Sequence, residues 1–275
     1  MLWVIDKFNR IKIMDFSLKI YTDLFNELLD NGFSYFTFNE YLKSVEIAKV
    51  TILRHDVDLL PFNSVETAII EKELGIKGSY YFRMIPESYN LEAVSKIASL
   101  GHEIGYHYED IDLAVQKFKQ KGIKDYTTDD LIDEGYKIFC ENLALLRKNF
   151  DINTICMHGS PRSKYDNKLL WTKYNYKDLG IVGEPYYDID FNKFAYFTDT
   201  GRRWNGSNVS VRDKVNSKYT FNFKTTQQII DNISKLPNYL MFTVHPQRWT
   251  NNPLLWTKEL VMQNVKNIVK RLIIK

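Results

Sequence analysis

The sequence predicts an α/β chain: one domain over residues 1–275, built as a distorted (β/α) barrel of about seven strands with long loops on one rim. Three observations carry this. Short apolar runs alternate with helical patterns from residue 17 to residue 157, as buried parallel strands joined by helices do. Four of the five histidines, His55, His107, His158 and His245, stand at the downstream end of such a run. Active sites of α/β folds collect at the carboxyl ends of their strands. Seven or eight strands alternating with helices also favour a closed or nearly closed barrel over an open sheet.

Each element has its own signal. Leu18, Tyr21, Leu24, Phe25 and Leu28 are helically spaced, so residues 17–31 read as a helix ended by Gly32. Phe33 to Phe38 reads as a strand, and the next strand ends at Asp56. Pro61 suits a first helical turn, and that helix runs to Gly75. Ser79–Arg83 and Glu103–Tyr106 read as strands, with helices at 91–100 and about 110–120. Thr127-Thr128-Asp129-Asp130 opens a longer helix, with a capping residue and acids in its first turn.

Residues 160–220 are rich in Tyr, Trp, Asp, Asn and Gly and read as rim loops. Strand candidates there are Gly180–Val182 and Ala195–Thr198. A helix over 225–236 and a strand over 240–244 follow. The last helix is expected to bury Leu260 or Val261, Val265, Ile268 and Leu272.

Composition excludes several classes. The 37 basic and 34 acidic residues nearly cancel, and no basic tract points to nucleic acid. No window approaches the ~18 apolar residues of a membrane span. The start lacks a basic stretch followed by a long apolar one, so a cytoplasmic protein is expected. Cys140 and Cys156 make no disulfide framework and read as buried thiols.

The chemistry concentrates in two segments. In His55-Asp56-Val57-Asp58, strand alternation puts both carboxylates on one face. Such a pair can divide labour, one holding a cation and the other staying free as a base. In Gly101-His102-Glu103-Ile104-Gly105-Tyr106-His107, His107 ends a strand at the rim. His102 begins that strand near the opposite rim and reads as structural.

Together these segments resemble the polysaccharide deacetylase family, carbohydrate esterase family 4. The resemblance runs in order through Arg54–Asp58, Gly101–His107, Met157–Pro161 and the strand to His245. It implies a NodB-like barrel with Asp56 as catalytic base, Asp58 and His107 as metal ligands, and His245 as the acid that protonates the leaving amine. It implies a divalent metal, zinc foremost, with cobalt, nickel or manganese as alternatives. The Asp-x-Asp spacing looks like the family's intracellular branch.

The chain departs from the pattern in three places. Tyr106 is large where a small residue is usual. Ile111 stands where the family has a second metal-binding histidine. The third ligand is then His158, or Glu109 or Asp110, or the metal is weak or missing. Finally, His158-Gly159-Ser160-Pro161 replaces an Arg-x-Pro motif, with Arg162 nearby but displaced.

Gly159, Arg162, Tyr186, Arg203 and Trp204 are the candidate substrate contacts. They belong to a loop region that also holds Trp171, Tyr187, Arg202 and Arg212. The implied reaction is removal of an N-acetyl group from an amino-sugar-containing substrate, a glycan precursor or polysaccharide. The rivals are hydrolysis of another C–N amide and sugar binding without catalysis.

Overall fold

The computed structural model describes residues 14–44, 47–160, 163–204 and 215–273, and the side chains of these up to residue 268. Among the described residues, seven strands, all paired in parallel, form a curled half-barrel, a shape compatible with a distorted barrel. They are β1 (Ser34–Phe36), β2 (Val50–Val57), β3 (Ser79–Phe82), β4 (Glu103–Tyr108), β5 (Ile155–Met157), β6 (Ala195–Thr198) and β7 (Tyr239–Val244). The order across the sheet is β5-β4-β3-β2-β7-β6. β2 is the hub: its first half pairs with β1, its second half with β3, and its other edge with β7. All eight of its residues are buried, as a central parallel strand covered on both faces requires.

The helices are α1 (Leu18–Asp30), α2 (Phe38–Lys43), α3 (Pro61–Glu73), α4 (Leu91–Ser99), α5 (Asp110–Gln120), α6 (Thr128–Arg147), α7 (Pro185–Asp188), α8 (Thr226–Ile230) and α9 (Pro253–Ile273). α1 starts at Ser17, whose hydroxyl caps Ile20 N–H, and Gly32 leaves it with φ 83°. α6 carries the expected capping box between Thr127 and Asp130.

Alternation along the strands sorts the core into layers. Leu53, Phe242 and Val244 face α1 and α8, while Tyr80, Tyr106 and Ile155 face α4 to α6. Val50, Ile52, Tyr81, Cys156 and Met241 fill the concave side. Tyr81 crosses that concavity above Gly105 and shares a hydrogen bond with the Thr154 hydroxyl at 3.0 Å. A Cβ on Gly105 would lie 2.3 Å from the Tyr81 ring, so only glycine leaves room there.

Three expectations are corrected. Residues 37–43 turn into α2 through a capping box between Thr37 and Glu40, where the sequence suggested that the strand continues to Phe38. Gly180–Val182 forms no strand; the chain touches the sheet there only through the bridge Thr154–Gly183. The third correction is α9. Its seated side consists of Gln263 and Asn267, with Trp256 and Leu260 half-buried, while Val261, Val265 and Ile268 are 57%, 55% and 57% exposed. Polar anchoring decides its orientation. Trp256 donates to Asp15 O at 2.6 Å and Asn267 to Gly201 O at 3.1 Å. The Leu272 side chain lies outside the described residues. Among the described residues, no helix is long and apolar enough to cross a membrane.

Candidate metal centre

The carboxyl ends of β2, β4, β5 and β7 bring five of the expected residues together. His107 Nε2 lies 3.6 Å from Asp58 Oδ1, and His158 Nε2 lies 3.5 Å from the same oxygen. Asp58, His107 and His158 thus form a group that could hold a metal ion. Asp58 Oδ1 is buried and, among the described residues, has no hydrogen-bond donor. A buried carboxylate oxygen is costly unless a cation or donor satisfies it, so this atom fits a bound cation. Imidazole nitrogens and a carboxylate oxygen are ordinary ligands of a divalent cation.

Both imidazoles are oriented from behind. His107 Nδ1 donates to Cys156 O at 2.9 Å, which turns its Nε2 toward Asp58. His158 Nδ1 lies 3.1 Å from Glu109 Oε2. Glu109 is itself held by Arg83, through Nε to Oε1 at 2.9 Å and Nη2 to Oε2 at 2.7 Å. Glu109 therefore stands behind His158, outside the cluster. Asp110 turns away, with its Oδ1 accepting from Tyr106 at 2.6 Å and Asn142 at 3.0 Å. Tyr106 is large because it points outward and reaches this carboxyl.

Ile111 is fully buried in the apolar core beside Gly135 and Leu170. The first turn of α5 is fixed by Asn167, whose Oδ1 accepts from Ile111 N at 3.0 Å and Asp112 N at 3.2 Å. The same side chain donates to His158 O at 3.0 Å. The start of α5 and the loop carrying His158 are thereby tied together.

Asp56 sits beside the triad, its Oδ2 3.8 Å from His107 Nε2. Arg54, two residues earlier on the same strand face, grips it with Nε to Oδ1 at 2.7 Å and Nη2 to Oδ2 at 2.5 Å. Burial pushes the Asp56 carboxyl up, but Arg54 and the nearby His107 and His245 outweigh burial and bring it to about 2. Asp56, His107 and Cys156 make a second, deeper group that could hold a metal. Arg54 already bonds both Asp56 oxygens there, leaving one lone pair on each, and its positive charge disfavours a cation. The Asp58 group is the better cation site.

His245 closes the far side, Nε2 3.9 Å from Asp58 Oδ2. Asp199, after β6, receives both its Nδ1–H at 2.6 Å and its backbone N–H at 2.9 Å. Arg248 and Trp249 donate to the same carboxylate at 2.5 and 2.8 Å. Burial raises the Asp199 carboxyl, but Arg248 and His245 hold it below the ordinary range. Gln247 reaches Asp58 Oδ2 at 3.4 Å. Sequence reasoning missed the roles of Asp199 and Arg54. For Arg54 the signal was its two-residue offset from Asp56; for Asp199, an aspartate just after a strand.

The remaining candidates separate. Tyr186 is at the site, its hydroxyl 3.1 Å from Arg54 Nη2. Beside it opens a pocket of about 320 Å³ lined by Lys168, Asp190, Asn192 and Asn216 among others. Gly159 is half-buried next to His158, and Arg203 is half-buried in the loop after β6. Trp204, expected at the substrate groove, is 4% exposed in the core against Phe242 and Trp249, its Nε1 donating to Thr226 at 2.9 Å. Arg162 and Arg212 lie outside the described residues.

His55 points to the outer face of β2, away from the aspartates beside it. It meets Glu71 at 2.8 Å and stacks on Tyr80 at 3.9 Å. His102 is structural, as expected: its Nδ1 accepts from Gly78 N at 3.1 Å and its Nε2 donates to Ala68 O at 2.9 Å. No family model matches the chain, and neither a curated protein nor a solved structure matches it.

Proposed function

We propose that the chain is a metal-dependent hydrolase that removes an N-acetyl group from an amino-sugar-containing substrate. The observation that carries this reading is the convergence of Asp58, His107 and His158 on one unsatisfied carboxylate oxygen, with Asp56 and His245 flanking it. Asp58, His107 and His158 would hold the ion, zinc by the chemistry of the donor set. When bound, it would polarise the amide carbonyl and acidify a water molecule.

The protein's own groups supply the rest. Asp56, kept ionised by Arg54, accepts the proton of the attacking water. His245, held by Asp199 with Nε2 toward the site, delivers a proton to the departing amine. Arg54 and Asp199 act as positioning residues for these two groups. Tyr186 and the pocket beside it offer an aromatic face, hydroxyl and amide groups to a sugar ring. His158 occupies the role that Ile111 leaves open, which favours a working site over sugar binding alone.

Metal analysis of protein purified without chelator, paired with acetate release from a panel of N-acetylated amino sugars, tests the reading. The expected result is about one divalent ion per chain and acetate release that zinc or cobalt restores after chelation. Turnover of cyclic or other amides without acetate release would assign the site to a different C–N hydrolase. Lack of both metal and turnover would overturn the hydrolase reading.

A further inference from the structure

The outward side of α9 is apolar. Leu254, Leu255, Val261, Met262, Val265 and Ile268 are 80%, 51%, 57%, 42%, 55% and 57% exposed. At ~100° per residue they span an arc of ~140°, opposite the polar side that anchors the helix. Contiguous exposed apolar faces on this scale mark an interaction surface. A second exposed apolar group, Leu59, Leu60 and Phe62, follows Asp58 at the end of β2. Leu60 is held there at φ 55°, a conformation that non-glycine residues rarely adopt. Both groups belong to the carboxyl-end rim, since α9 is seated on Asp15 and on Gly201, in the loop after β6 that also carries Asp199.

Charge separates the possible occupants. The sequence of α9 contains four basic residues, Lys258, Lys266, Lys270 and Arg271, and one acidic residue, Glu259. Lys258 is exposed within the apolar arc, one turn from Leu254 and from Met262. In a helix pair between two copies, this ammonium would enter an apolar seam, and burying an unpaired charge is costly. At a bilayer surface its stem lies among acyl chains while the ammonium reaches lipid phosphates. A basic amphipathic helix fits an anionic lipid surface.

We infer that α9, together with the Leu59–Phe62 lip, docks the carboxyl-end rim onto an anionic lipid bilayer. The helix lies in the interface and does not cross it. The inference stands apart from the hydrolase reading, because binding is measured without turnover.

Flotation of the full chain with vesicles tests it. The protein should rise with phosphatidylglycerol-containing vesicles and much less with pure phosphatidylcholine, and added salt should weaken the association. The double variant Val261→Asp/Val265→Asp should lose at least about tenfold in affinity with an unchanged melting temperature. Lys258→Glu should lose about fivefold or more on the anionic vesicles. The inference is overturned by equal flotation of variant and parent, or by no flotation at all. A concentration-dependent dimer, dissociated by the double variant and indifferent to vesicles, would overturn it by giving the face to a second copy.

Discussion

One carboxylate, that of Asp199, receives both the ring Nδ1–H and the backbone N–H of His245. The imidazole is thereby fixed in one tautomer, with Nε2 turned toward Asp58. Asp199→Asn keeps the shape but offers one acceptor where four donors converge. We expect a kcat lower by about 10²-fold or more with metal content unchanged.

The two aspartates of β2 and its exit should separate in their effects. On the proposed mechanism Asp56→Asn removes the base and leaves the ligands, so metal should stay and turnover should fall. A variant that loses metal along with activity would reverse the two roles. His158→Ala should weaken metal binding by more than about 100-fold. Glu109→Gln, acting through His158 and through Arg83, which donates to Asp58 O at 3.2 Å, should weaken it by about 10- to 100-fold. Titration with a chelator of known affinity measures both.

Asp110 gives a pH test independent of any reaction. Burial raises its carboxyl to about 7, against hydrogen bonds from Tyr106 and Asn142 that lower it. Oδ2 has no partner. A group raised in the folded state contributes stability that is present below its unfolded value, 3.8, and is lost as pH rises through about 7. Asp110→Asn removes that loss. Its advantage over the parent in urea denaturation should therefore grow from pH 5 to pH 8, reaching a few kcal/mol on the order of the shift. A pH-independent difference would refute the assignment.

What the sequence made legible follows from where the information sits. His107, His158 and His245 could be placed because each ends an apolar run, and parallel strands deliver such ends to one rim. Asp199 could not, because its importance lies in which histidine it meets across β6 and β7. The apolar stripe of α9 was visible as periodicity, but periodicity does not say which face is seated. Trp256 and Asn267 settle that through partners far away in sequence, Asp15 and Gly201. Trp204 was misassigned because an aromatic in a polar loop reads the same whether it lines a groove or plugs the outer core.

Ile111 supplies the sharpest test of the ligand set. By sequence its place looks like a lost metal ligand. In the structure it is fully buried, and its Cδ1 lies 3.0 Å from where a Cβ on Gly135 would stand. Introducing histidine there should therefore add no ligand. Ile111→His would place an imidazole in an apolar cluster with Asn167 holding the backbone in register. We expect a loss of about 2–4 kcal/mol in chemical denaturation and metal affinity no higher than the parent's. Higher affinity would mean that the first turn of α5 can rotate toward Asp58, and that His158 is dispensable.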